Sequence, residues 1–160
     1  MTFSIRIERN RLRFAAAHFA TFGDACEPLH GHNYAVMVEI KGGLTPDSWV
    51  IDFGDAKRMV RELCQELDHK FLLATANRVL SVSHDDHAYD IRCGDRRYVI
   101  PASDVAALDI DNTTAERLAE WLASRLAARL ADSGAGNVMS ISIGVEEMPG
   151  QAGWVTLQLG

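Results

Sequence analysis

The sequence predicts an α+β fold, an antiparallel four-stranded sheet with two helices packed on one face and a hairpin inserted between the helices. Three patterns carry that expectation. Both ends of the chain alternate apolar and polar residues with the period of strands, two internal segments repeat apolar residues at helical spacing, and the stretch between them holds a turn of its own. The order is therefore two strands, helix, excursion, helix, two strands. With 160 residues, 48% of them hydrophobic, the chain is long enough for one domain over 1–160 with a real core and too short to expect two.

Along residues 3–18, Leu12, Phe14, Ala16 and His18 share one face of a strand, and the break near Arg9-Asn10 predicts a hairpin or bulge before it. A second strand, 32–40, places His32, Tyr34, Val36, Val38 and Ile40 on one face; residues 19–29, with Gly23, Asp24 and Pro28, read as the connecting loop. After Gly42-Gly43 and Pro46, Trp49-Val50-Ile51 reads as a short strand ending at Asp52, a helix N-cap. Phe53, Ala56, Met59, Val60, Leu63 and Leu67 define the first helix, which ends at Asp68-His69. In the excursion, 74–111, residues 89–92 and 97–100 flank Gly94-Asp95 as a hairpin outside the main sheet. The second helix begins near Thr113, where Thr113 and Glu116 fit a capping box, runs through Leu118, Trp121, Leu122, Leu126 and Leu130, and stops at Gly134-Ala135-Gly136-Asn137. Residues 138–147 and 153–159, joined by Pro149-Gly150, supply the last two strands.

A formal net charge of −6 argues against a nucleic-acid partner. A small phosphorylated substrate needs only local cations, and Arg6, Arg9, Arg11 and Arg13 make the first strand pair basic. No apolar run reaches membrane-spanning length and no basic-then-apolar signal opens the chain, so a soluble cytoplasmic protein with no membrane partner is expected. Cys26, Cys64 and Cys93, odd in number and widely spaced, suit reduced thiols rather than a disulfide framework. The exposed edges of so small a sheet predict a homo-oligomer.

The densest chemistry lies in His18, Cys26 and His30-Gly31-His32. Strand parity puts the three histidines on one buried side, converging if their strands pair as antiparallel neighbours. Three neutral imidazoles with an open fourth position are the donor set of catalytic zinc. Cys26 either closes such a site as a fourth ligand or acts as a thiolate base beside the cation. Cys64 reads as a packing thiol and Cys93 as a turn thiol, while His84 and His87 read as parts of a solvated turn. Asp68-His69 is either an acid–base couple or a histidine favoured by the helix dipole. Glu147 continues the inward row of Ile141, Ile143 and Val145, so its carboxylate needs a partner. An arginine would serve, as would the paired N–H donors of a pterin or guanine.

These residues together resemble the 6-pyruvoyltetrahydropterin synthase and 6-carboxytetrahydropterin synthase (QueD-like) family of the tunnelling fold. The resemblance rests on Phe14-Ala15-Ala16-Ala17-His18, on the run from Cys26 through His30-Gly31-His32 to Tyr34, and on Val50-Ile51-Asp52-Phe53, Leu67-Asp68-His69, Asn112-Thr113-Thr114-Ala115-Glu116 and Val145-Glu146-Glu147. It implies zinc on His18, His30 and His32, catalytic roles for Cys26, Asp68 and His69, and pterin binding by Glu147 with Thr113 and Thr114. It also implies a trimer-based hexamer. Three residues between Cys26 and His30 look like the carboxytetrahydropterin branch, whereas the pyruvoyl branch has a longer gap. Departures from the pattern are Thr113 in place of a proline, the doubled Glu146-Glu147 and the long 74–111 excursion.

The activity so implied is zinc-dependent conversion of 7,8-dihydroneopterin triphosphate to 6-carboxy-5,6,7,8-tetrahydropterin, with release of acetaldehyde and triphosphate, in queuosine (deazaguanine) biosynthesis. The alternatives are 6-pyruvoyltetrahydropterin synthase or another dihydropterin side-chain lyase, including one that cleaves toward folate, and a non-catalytic zinc or pterin-binding module whose Cys26 closes the metal sphere.

Overall fold

A computed structural model of the protein describes residues 1–8 and 11–159; the break read at Arg9-Asn10 lies outside the described residues. Strands β1 (Phe3–Ile7) and β2 (Arg13–His18) are followed by a miniature hairpin, β3 (Thr21–Phe22) and β4 (Ala25–Cys26), and then by β5 (His30–Gly42). Strand β5 is the spine of the sheet. Its Tyr34, Val36, Val38 and Ile40 are buried as their alternation requires, and β1 and β2 lie end to end along one edge, with Ile7 opposite Val38 and His18 opposite His30.

Helix α1 (Phe53–Leu67) starts where expected, because the Asp52 carboxylate accepts the Gly54 and Asp55 N–H groups at 2.7 and 3.1 Å. The Trp49-Val50-Ile51 segment before it is irregular chain rather than a strand. Val50 is nonetheless buried, and its carbonyl accepts from Asn137 Nδ2 at 2.8 Å. After α1 come β6 (Lys70–Ala74), β7 (Ser81–His84), β8 (Ala88–Cys93), β9 (Arg96–Pro101) and β10 (Val105–Leu108), then α2 (Ala115–Asp132), β11 (Val138–Met148) and β12 (Gln151–Gln158).

Among the described residues the main sheet has seven strands and is mixed, which corrects the four-stranded antiparallel sheet expected from sequence. Its order is β10-β6-β2-β5-β11-β12, with β1 also on β5, and the β10–β6 and β2–β6 pairings are parallel. The physical reason lies in Lys70–Ala74. This run is buried from Phe71 onward, so it carries none of the alternation that would mark it as a half-exposed strand. The excursion divides accordingly: β7, β8 and β9 form a separate three-stranded antiparallel sheet, and β10 returns to the main one.

Both helices put their apolar stripes against the sheet, α1 through Met59, Val60, Leu63 and Leu67 and α2 through Leu118, Leu122, Leu126 and Leu130. A second, smaller core of Phe19, Phe71, Leu73 and Ile91 sits under the excursion and takes in part of Cys26 and Tyr98. The loop that precedes the His-Gly-His run is thereby attached to the excursion.

Candidate active site

Antiparallel pairing sets His18 opposite His30 and Ala16 opposite His32, so the third imidazole is the diagonal neighbour of the first. Ring centroids are 4.6 Å apart for His18 and His30, 5.2 Å for His18 and His32, and 4.9 Å for His30 and His32. One nitrogen from each ring lies within 4.8 Å of the others. Tyr34, fully buried, stacks on Phe14 at 4.6 Å and meets His18 and His32 edge-on.

The surrounding hydrogen bonds fix which nitrogen of the His18 and His30 rings is free. His18 Nδ1 is 3.1 Å from the Thr113 carbonyl and 3.0 Å from Thr113 Oγ1, and that hydroxyl donates to the Phe19 carbonyl. Both neighbours are thus acceptors, and Nδ1 carries the proton. His30 Nδ1 likewise donates to the Pro28 carbonyl at 2.8 Å. The two Nε2 atoms face each other at 3.2 Å. Burial, reinforced by His30 and His32, lowers the His18 pKa to about 4, so its ring is neutral near pH 7. Two imidazole lone pairs aimed at one point call for a cation between them, and oriented imidazoles fit zinc.

The triad opens into a cavity of about 500 Å³ that Glu27, Thr114, Glu116, Glu147 and Gly153 also line. Glu147 faces the cavity, as its strand parity requires, and burial raises its pKa; His32 opposes the rise, while Glu116 and Glu27 add to it. Glu146 is otherwise engaged, accepting the Gly150 N–H at 2.8 Å across the β11–β12 turn. Thr113 and Thr114 divide the work expected of them. The helix cap is Thr114, which accepts the Arg117 N–H at 3.4 Å and reaches the cavity, while Thr113 is buried behind His18. The Thr113–Glu116 capping box is therefore corrected by one residue, because the hydroxyl of Thr113 is committed to Phe19 and His18.

Cys26 departs from its expected role. It is joined by a disulfide to Cys93, 67 residues away, with Cα atoms 6.4 Å apart. That overturns the expectation of three reduced thiols and leaves Cys26 neither thiolate base nor metal ligand in this structure. Cys93 is buried at the end of β8, beside the Gly94-Asp95 turn. Only Cys64 is free, and burial pushes its thiol up to about 12. The carboxylate facing the triad is that of the next residue, Glu27, whose Oε2 accepts the Ala20 N–H at 3.1 Å. Successive residues of an extended segment point to opposite sides. That rule, applied to Cys26-Glu27, was the signal in the sequence that could have singled out Glu27.

Asp68 and His69 form their couple, with Nδ1 3.0 Å from Oδ2, but neither lines the cavity that holds Glu27 and Glu147. Asp68 Oδ1 also accepts the Ala15 N–H at 2.8 Å. His69 is exposed and lines two other cavities, one shared with Ala15, Gly31 and His32 and one with Ala15, Asn33, Arg11, Arg13 and Arg61. His84 stacks on Tyr89 at 4.8 Å and Asp85 caps the backbone of His87, the solvated turn that was expected. No described helix is long and apolar enough to cross a membrane.

A sheet backed by two helices, with an imidazole triad and carboxylates in one cavity, is matched by enzymes of the tetrahydropterin synthase class, which are lyases. The family model described as 6-pyruvoyl tetrahydropterin synthase matches residues 6–157, and the chain belongs to that family. A relative from Methanocaldococcus jannaschii, provisionally named 6-carboxy-5,6,7,8-tetrahydropterin synthase, is 36% identical over 88% of this chain and 86% of its own. A Pyrococcus abyssi relative of the same provisional name is 31% identical over 91% and 87%. The crystal structure of 6-pyruvoyl tetrahydropterin synthase from Plasmodium vivax superposes with a TM-score of 0.92 at 29% identity, covering 99% of each chain. A variant of that enzyme, altered at a glutamate described as a catalytic residue, superposes equally well at 28% identity.

Proposed function

We propose that this chain is a zinc-dependent lyase that converts 7,8-dihydroneopterin triphosphate to 6-carboxy-5,6,7,8-tetrahydropterin, acetaldehyde and triphosphate, supplying queuosine (deazaguanine) biosynthesis. The observation that carries the reading is the facing pair of His18 and His30 Nε2 atoms in one cavity with Glu27 and Glu147. The provisional names of the archaeal relatives support the product, and a cavity of about 500 Å³ suits a ligand of this size.

His18, His30 and His32 would hold the zinc, which when bound supplies Lewis acidity toward the side-chain oxygens. Glu147 accepts the adjacent N–H donors of the pterin edge, which offsets the cost of burying its charge, and Thr114 lines the same pocket. Glu27 is the acid–base group on the triad side, in the role first assigned to Cys26. Asp68 orients His69 for proton transfer on the other side of the substrate. Because that couple does not line the cavity that holds Glu27 and Glu147, a second copy would supply it, in a homo-oligomer of the trimer-based hexamer type. Mixing inactive His69→Ala with inactive Glu27→Gln subunits should then restore part of the activity.

A second reading follows from the Cys26–Cys93 bond, since a site running on Glu27 rather than on a cysteine would, like the P. vivax 6-pyruvoyltetrahydropterin synthase, use a catalytic glutamate. In it the chain is a dihydropterin side-chain lyase with a different product. Incubation with 7,8-dihydroneopterin triphosphate and mass spectrometry of the products separates the two. Acetaldehyde with 6-carboxytetrahydropterin supports the first; a 6-pyruvoyl or side-chain-truncated pterin without acetaldehyde supports the second.

A further inference from the structure

The short hairpin that carries Glu27 toward the triad has almost no structure of its own. Its strands β3 and β4 are two residues each, Thr21 against Cys26 and Phe22 against Ala25, and an isolated pair of that length is not stable in water. On the side of Glu27 the segment is tied to β2's extension, by Glu27 N–H to the Ala20 carbonyl at 2.9 Å and by Ala20 N–H to Glu27 Oε2 at 3.1 Å. The opposite side is held from the excursion. Cys93, the last residue of β8, is bonded to Cys26, and Arg96, the first residue of β9, donates from Nη1 to the Cys26 carbonyl at 2.9 Å. Phe19, stacked on Tyr98 at 5.2 Å, closes the contact behind them.

We propose that the tip of the β8–β9 hairpin is a clamp on Cys26 that fixes the direction of the Glu27 carboxylate, which makes Cys93 and Arg96 positioning residues for the reaction. This rests on the reading of Glu27 as the acid–base group. The two attachments act on the residue next to Glu27 from the face it does not use, one covalent through Sγ and one polar through the carbonyl. Neither Cys93 nor Arg96 lines the triad cavity, so both act through the backbone of Cys26. A general base misplaced by about 1 Å can cost roughly a hundredfold in rate. Removing the clamp should therefore lower kcat much more than it raises KM.

The test compares Glu27→Gln, Cys93→Ser, Arg96→Ala, the Cys93→Ser/Arg96→Ala double variant and Arg96→Lys as metal-loaded full-length enzymes, with turnover of dihydroneopterin triphosphate as the assay and amide hydrogen exchange of the peptide spanning 19–28 as an independent readout. The double variant is expected to lose about 10- to 100-fold in kcat with KM within about threefold of wild type, and to exchange the Ala20 and Glu27 amides faster. Arg96→Lys should restore part of the loss of Arg96→Ala. Should the double variant express poorly, wild-type enzyme treated with a phosphine replaces it. The phosphine gives two electrons to the disulfide and becomes its oxide with oxygen from water, and the two protons end on Cys26 and Cys93. In the denatured, unreduced protein one thiol, Cys64, should titrate; three would overturn the proposal. Wild-type kcat and exchange in the double variant, with Glu27→Gln inactive, would also overturn it, whereas full activity of Glu27→Gln would overturn the reading beneath it.

Discussion

His18 Nε2 and His30 Nε2 face each other at 3.2 Å while both Nδ1 atoms donate to protein oxygens, so neither ring can bond to the other. The arrangement is one in which backbone and hydroxyl acceptors choose the tautomer and leave lone pairs for a metal. His18→Ala should abolish stoichiometric zinc binding. Thr113→Val should weaken affinity by about tenfold, because the carbonyl still accepts from Nδ1 when the hydroxyl is gone. Competition with a chromophoric chelator measures both, and unchanged affinity in His18→Ala would refute the assignment.

Glu147 makes an opposed demand on stability and binding. Its pKa is raised in the folded protein, first by burial. The linked contribution to stability is therefore present below the ordinary value of 4.5 and is lost as pH rises through the folded value. In metal-free protein, Glu147→Gln should melt above wild type at about pH 8 and level with it at about pH 4 by scanning calorimetry. The same variant should bind the pterin about a hundredfold more weakly, since two charge-assisted hydrogen bonds become neutral or mismatched.

Period-2 parity was enough to place His18, His30, His32 and Glu147, because each sits in a strand with one buried face and a register slip would expose the whole apolar row. Asp52 was legible as a cap for an equally local reason. The parallel pairing of Lys70–Ala74 was not, since a run buried from Phe71 onward has no alternation to read. Neither was the Cys26–Cys93 bond, which depends on where the excursion folds back, a matter of tertiary packing around Phe19 and Ile91. Missing that bond also concealed Glu27, because a motif read as one block hides the alternation of its adjacent residues.

Two glycines separate steric cost from function. A Cβ on Gly153 would lie 2.6 Å from Glu116 N and 2.8 Å from Ala115 C, backbone atoms at the start of α2 that cannot move alone. One on Gly144 would meet the Trp154 ring at 2.5 Å, but that side chain is half exposed and can swing outward. Gly153→Ala should cost about 1–3 kcal/mol in urea unfolding, and Gly144→Ala less. Only Gly153→Ala should also reduce turnover, since the displaced turn carries Thr114 and Glu116 into the cavity.

Asp68 couples the end of α1 to β2 and to His69 at once, and its substitutions can be used to separate these links. Its carboxyl is held below the ordinary value of 3.8, first by the Ala15 N–H and then by His69, against some burial. A depressed acid contributes stability that is present above 3.8 and lost as pH falls through the folded value. Wild type should therefore lose more stability on acidification below about pH 4 than Asp68→Asn, whose amide does not titrate. Asp68→Ala should be about 1 kcal/mol less stable at neutral pH, because the Ala15 N–H loses its acceptor. Asp68→Asn keeps that acceptor through its amide oxygen, which turns the NH₂ group toward His69 Nδ1 and forces the proton of the ring onto Nε2. The asparagine variant should fold as wild type near neutrality and yet lose at least about tenfold in kcat. Urea unfolding read beside turnover distinguishes the roles: a matched loss in both would reduce Asp68 to a helix stop, and a loss in kcat alone would make it the residue that sets the tautomer of His69.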